Sequence, residues 1–267
     1  MVRPHAAARA SRWLQRFAVL LPGAALAVAA CRSNAPTGRV AQGHEGAPGV
    51  QGFLLAPLNL VIALPPELES GVEPVQQAIV AYVAARGRRA ERLPLPEGRD
   101  LWSRAVEDAK AKGPLRFEAA APTFVAQAAA SHAFEALLIP SLIVQRTVVR
   151  HRGASWDGVQ RRIRVVNRPR LPGGRNQNAL VEGMASGDVN ANISIVSLHL
   201  LVFARDGKHV FEGRGGIDIL DEVDLQDAEK TLRFQMRQRD DLFDDRAILA
   251  EAVEIAFTPY LPRLPPR

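Results

Sequence analysis

Residues 197–213 read Ser-Leu-His-Leu-Leu-Val-Phe-Ala-Arg-Asp-Gly-Lys-His-Val-Phe-Glu-Gly. Asp206-Gly207 sits between two runs rich in β-formers, Ile193 to Ala204 and Lys208 to Leu220. An Asp-Gly pair in that setting is the strongest short-range signal for a β-hairpin. A two-residue turn sets the register: Phe203 opposes Val210, Leu201 opposes Glu212, His199 opposes Arg214 and Ala204 opposes His209. Alternation then puts His199 and His209 on opposite faces.

Working upstream, Ala136 to Val149 (ALLIPSLIVQRTVV) reads as a long strand, interrupted or bulged at Pro140. Thr123 opens an alanine-rich helix from Phe124 to Phe134. Asp100 starts another, carrying Leu101, Trp102, Ala105 and Val106 and ending at Gly113-Pro114. Arg89 to Leu93 is a short strand. Ser70 and Gly71 cap a helix with Pro74 in its first turn, whose face holds Val75, Ile79, Val80 and Val83 and which Gly87 stops. Leu58 to Leu64 (LNLVIAL), ended by Pro65-Pro66, reads as a buried strand. Downstream of the hairpin, 225–239 reads as a highly charged helix. Asp244 or Asp245 then starts a last helix with Ile248, Leu249, Ala252, Val253, Ala256 and Phe257 as its apolar stripe, and Pro259 and Pro262 end it. The order is strand–helix–strand, helix–helix–strand, hairpin, helix. It predicts an α/β (α+β) fold: a single mixed sheet with helices packed on it, a late β-hairpin and a C-terminal helix. There is no internal repeat, and the ordered length suffices for one domain.

The chain has 267 residues, 47% hydrophobic and 23% charged, which is a globular composition and excludes disordered and collagen-like classes. Its one cysteine cannot form an internal disulfide or supply a cysteine-based zinc or iron–sulfur site. No apolar run reaches the roughly 18–20 residues of a membrane-spanning helix.

That cysteine has a specific setting. Arg3, Arg9, Arg12 and Arg16 form a positive segment without an acid, and Phe17 to Ala30 is an apolar stretch broken by Pro22 and Gly23. This is the layout of an export signal. It ends in Val28-Ala29-Ala30-Cys31, which resembles the lipobox of bacterial lipoproteins. The resemblance implies cleavage of residues 1–30 between Ala30 and Cys31, and lipid attachment to the thiol of Cys31. A plain secretory signal with an incidental cysteine is the alternative. Two or three acyl chains would make attachment effectively permanent, where one alone anchors marginally. By resemblance to Gram-negative lipoproteins, Arg32 directs the protein to the outer membrane, facing the periplasm. A cysteine-free body suits that oxidising compartment. Removing the signal leaves 30 basic against 28 acidic residues, a net charge of +2, so the high pI of the full chain is a poor argument for nucleic acid as a partner.

Residues 31–52, rich in Gly and Pro, read as a lipidated tether with a reach of about 25 Å. The periplasmic domain then spans 53–267, with an irregular Arg-rich insertion at 150–188. From Arg146 to Arg175 there are nine arginines and one acid, whereas Asp206 to Glu251 holds 13 acids and 7 bases. Arg161, Arg162 and Arg164 are the candidate contacts to an anionic surface. The competing reading pairs these arginines with the acidic carboxy-terminal half or leaves them solvated.

There is no P-loop, GxGxxG, HExxH or GxSxG. Gly213-Arg214-Gly215-Gly216 falls inside a strand, where a bulge is the better reading than a phosphate cradle. His132, His151, His199 and His209 read as structural, and the acids at 218–245 as caps and solvated faces without the order of an EF-hand. No catalytic residue, metal or cofactor is expected.

The strand LNLVIALP, the helix leading into ALLIPSLIV, the SLHLLVFARDGKHVFEG hairpin and the closing helix ending YLPRLP together resemble a recurring bacterial envelope domain. It is the domain of the curli-secretion lipoprotein, the TolB amino-terminal domain and the lipoproteins that activate peptidoglycan synthases. The resemblance covers roughly 58–150 and 190–262 and is one of pattern, while 150–188 departs from it. It implies a non-enzymatic module that binds envelope proteins, self-associates or gates secretion. A lipid-anchored periplasmic enzyme and a secretion-pore subunit are the alternatives.

Overall fold

The computed structural model describes residues 38–41, 46–47, 49–111, 117–148, 153–166, 192–228 and 231–261. Eleven strands occur among them: β1 (Arg39–Val40), β2 (Gly52–Leu55), β3 (Arg89–Arg92), β4 (Ala136–Val148), β5 (Gly153–Trp156), β6 (Val159–Arg162), β7 (Val165–Val166), β8 (Asn192–Ala204), β9 (His209–Ile219), β10 (Asp221–Ala228) and β11 (Thr231–Gln238). The α-helices are α1 (Val72–Ala84), α2 (Leu95–Ala111), α3 (Phe117–Ser131) and α4 (Arg246–Phe257).

The expected α/β class holds, with a large mixed sheet and a C-terminal helix, but the sheet is not single. Six strands form the main sheet in the order β1-β9-β8-β4-β2-β3. β2 runs parallel to β3 and β4, and β4, β8, β9 and β1 continue antiparallel. A three-stranded sheet, β11-β10-β7, and the β5-β6 pair stand apart from it. Helices cover both faces. α1 and α4 bury Ile79, Val83, Val253 and Phe257 against Leu138, Leu198, Leu200 and Val202. α2 and α3 bury Leu101, Phe124 and Val125 against Leu54, Leu137, Ile139 and Phe203.

β4 runs unbroken through Pro140 because of which way that residue faces. The carbonyls of Leu138 and Pro140 accept from Ala56 and Asn59 on the β2 side. The missing proline N–H therefore falls on that side and costs the β8 ladder nothing. β2 has already ended at Leu55, since Pro57 cannot extend a ladder. LNLVIAL is consequently a turn and not the expected strand. Asn59, at φ 54°, substitutes for the lost rung: its amide donates to Leu142 O at 3.0 Å and its Oδ1 accepts from Leu142 N at 2.7 Å.

The late hairpin forms, with a correction near its tip. Leu201 opposes Glu212 and His199 opposes Arg214, as the sequence predicts, but Phe203 opposes His209. The turn has three residues, closed by Gly207 N to Ala204 O at 2.9 Å with Gly207 at φ 84°, and the register shift beyond Val202 restores the predicted pairing. The shift brings the His209 ring to 5.0 Å from Phe203, on the face that also carries His199.

Four further boundaries differ. α2 and α3 start earlier than their predicted first turns, at Leu95 and Phe117, and α3 absorbs Pro122. Ser70 does not cap α1, which follows directly from a 3-10 turn over Pro66–Gly71 with Gly71 as N-cap. The predicted charged helix at 225–239 is instead the β10–β11 hairpin, pairing Val223 with Met236 and Leu225 with Phe234. Leu232, Phe234 and Met236 alternate with Arg233, Gln235 and Arg237, which is a period of two. The expected tether is also shorter than its composition indicates. Arg39–Val40 pairs with β9 at the sheet edge, and Ala47 is buried in the core.

Candidate functional site

On the face of the sheet covered by α2 and α3, between the cluster around Phe124 and Phe203 and a smaller one of Ala154, Ile193, Ile195 and Ile219, lies a polar strip. Its floor is set by register: Ser141 pairs with His199, Ile143 with Ser197, and Ser197 with Gly216. His199 Nε2 lies 2.9 Å from Glu212 Oε1, and Glu212 lies 3.9 Å from Arg214 Nη2. Burial lowers the His199 pKa against the pull of Glu212, favouring the neutral ring.

The β5–β6 hairpin closes the strip. Asp157 and Gly158 occupy left-handed backbone at its tip, φ 36° and 83°. Asp157 O accepts from Gly216 N at 2.9 Å, and Trp156 Nε1 donates to Val196 O at 3.3 Å. Gly216 permits this approach, because a Cβ there would fall on Val159 and Trp156. Gly213 and Gly215 do the same for α4. The Gly-Arg-Gly-Gly run is therefore a surface of close approach within a continuous strand and not a phosphate cradle, and a register shift begins at its end, where Ser197 opposes Gly216 but Ile195 opposes Ile219. Ser197 Oγ, Asp157 Oδ2 and Gln145 Nε2 are buried without a protein hydrogen-bond partner. Ser197 Oγ makes no bond to His199, so a serine–histidine relay is not assembled there.

The arginine insertion meets the acidic half of the chain. Arg161 donates to Glu251 at 2.6 Å and to Ile217 O at 3.0 Å, and its side chain is only 17% exposed. Arg164 pairs with Asp241 and lies 3.4 Å from Glu222. Arg237 also pairs with Glu222, and Arg239 joins Asp241 at 2.9 Å to Asp218 at 2.7 Å. The result is an alternating chain: Arg237, Glu222, Arg164, Asp241, Arg239, Asp218. Of the three arginines considered for an anionic surface, Arg161 and Arg164 are thus engaged by carboxylates, and only Arg162 is exposed without a partner among the described residues. The competing reading of this segment is the one the geometry favours. The same pairing accounts for acids 218, 222 and 241. No group of three or more His, Cys, Asp or Glu is placed to hold a metal ion among the described residues.

Sequence reasoning did not anticipate a third cluster. His132, just past α3, presents Nε2 to Glu97 Oε1 at 2.8 Å and Nδ1 to Glu91 Oε1 at 3.0 Å, bridging α2 and β3. Two carboxylates can only accept, so both ring nitrogens must carry protons. The bond to Glu97, reinforced by Glu91, raises the His132 pKa despite partial burial. A raised pKa stabilises the fold below the unfolded value of about 6.5, and that stabilisation is lost as pH rises through the folded value. The melting-temperature gap between wild type and His132→Gln should therefore be wide at pH 6 and narrow at pH 9. A gap independent of pH would remove the imidazolium from this account. Arg205 completes the cluster by donating to the carbonyls of Ala129, His132 and Phe134, at 2.7, 3.1 and 3.0 Å.

Ala30, Cys31 and Arg32, with the whole predicted signal, lie outside the described residues, as do His151 and most of the 150–188 insertion. No helix among the described residues is long and apolar enough to cross a membrane. The chain matches no protein-family model and no curated protein.

Proposed function

We propose that the chain is a lipid-anchored lipoprotein of a Gram-negative envelope, attached through Cys31 to the outer membrane and facing the periplasm. It acts there as a non-catalytic binding or assembly module for envelope proteins, itself included. The observation that carries this reading is the position of the sole cysteine, directly after Val28-Ala29-Ala30 and an apolar stretch with an arginine-rich start. The body supports it: a cysteine-free α/β domain whose first described strand, Arg39–Val40, lies at the edge of the main sheet. Cells fed a clickable palmitate analogue should label the protein, and Cys31→Ala should abolish the label. Label retained in that variant overturns the anchor.

A second reading, a pore subunit, is favoured by one observation. β10 and β11 are eight-residue antiparallel strands, and the sequence of β11 alternates Leu232, Phe234 and Met236 with polar residues, as membrane-barrel strands do, while β10 keeps the pattern only at Val223 and Leu225. Stepwise conductance of the purified lipoprotein in planar bilayers would support it. A silent bilayer with the protein incorporated would dismiss it.

A further inference from the structure

Among the described residues, β4 is paired on both sides only over its first half. Its even-numbered residues direct N–H and C=O groups toward β2: Leu138 and Pro140 accept from Ala56 and Asn59, and Leu142 exchanges two bonds with the Asn59 side chain. Val144, Arg146 and Val148 continue the same row, while the odd-numbered residues face β8 through the full length of the strand. Among the described residues, no backbone group pairs with 144, 146 or 148 on the outer side. Among the described residues, Val144–Val148 of this central strand thus has an open edge, which is a template for strand addition.

The surroundings favour a partner over concealment. Four large apolar side chains are exposed among the described residues, and one of them, Val148, belongs to this edge. Arg146, exposed, is central and has no ion-pair partner among the described residues. A second copy is a poor occupant: antiparallel pairing about Arg146 would set Arg146 against its own equivalent, and like charges directly opposite are destabilising.

We propose that Val144–Val148 is a docking edge for an extended partner peptide that places an acidic side chain opposite Arg146 and apolar side chains opposite Val144 and Val148. This deepens the reading of the chain as a binding module, and it is tested independently of the anchor.

The probe is a fluorescent peptide, Thr-Val-Thr-Glu-Thr-Val-Thr, titrated into the full lipoprotein in detergent, with a lysine in place of glutamate as its counterpart. The acidic peptide should bind roughly five- to tenfold more tightly than the basic one. Binding should also slow hydrogen exchange at the amides of 144, 146 and 148. Arg146→Pro removes only the outward donor, as Pro140 does on the same side of the strand, and should abolish binding with the melting temperature preserved. Arg146→Glu should invert the preference between the two peptides, and it carries the test if the proline variant fails to fold. The proposal is overturned if neither peptide binds, if charge preference ignores Arg146→Glu, or if these amides already exchange slowly in the free protein. Loss of palmitate labelling bears on the anchor alone and leaves these results readable.

Discussion

Phe257→Ala should lower the free energy of unfolding by about 3–5 kcal/mol, the range for emptying a buried aromatic site. The ring lies in the last turn of α4, is fully buried, and stacks on Tyr82 of α1 with centroids 5.0 Å apart. Tyr82 is fixed in turn by its hydroxyl, which donates to Leu261 O at 3.0 Å. Removing Phe257 therefore takes packing from α1, α4 and the end of the chain together, and the site has little freedom to collapse. Chemical denaturation of the detergent-solubilised protein measures the effect. A midpoint shift within error would show that α4 is peripheral to the core.

Gly215→Val should be comparably severe, about 3 kcal/mol or more, through overpacking instead of a void. A Cβ at this position would fall on the carbonyl oxygen of Ala252, and one at Gly213 on that of Ala256, so α4 rests on the sheet backbone itself. A helix backbone cannot yield as a flexible side chain can. Gly87→Ala serves as a contrast: no atom stands near its Cβ, so its cost is confined to the positive φ of 70°. Equal losses at the two positions would argue against the close approach of α4.

How much of this was legible depends on how local the determining interaction is. The hairpin was legible because Asp206-Gly207 encodes its own turn, and most of its register followed. What escaped was the third turn residue and the compensating shift, which depend on Gly207 in left-handed backbone. Asp157-Gly158 carries the same signal and builds the β5–β6 hairpin, yet the glycines and arginines around it read as a loop. The β10–β11 pair reads as a helix by charge density, although Leu232, Phe234 and Met236 mark a period of two. LNLVIAL is apolar enough for a strand, but Pro57 and the turn at Asn59 override composition. The polar strip could not be read at all. Ser141, Asp157, Ser197 and Glu212 come together only through strand register and a hairpin folded over Gly216. The opposite charges of the arginine insertion and the carboxy-terminal half were visible, but which arginine meets which acid is decided by tertiary placement.

The alternating chain of six charges will not respond evenly to ionic strength. Arg237 and Arg164 are about half exposed, whereas Asp218 and Arg239 are largely shielded from water. As the Debye length shrinks from about 8 Å at physiological salt to about 3 Å at 1 M, screening reaches the exposed members first. The grip of Arg164 and Arg237 on Glu222 then loosens while the Asp218–Arg239 pair persists. Brine would therefore act as a graded solvent variable on the β10–β11 hairpin, weakening its hold on the insertion from the outer end inward and leaving the main sheet intact.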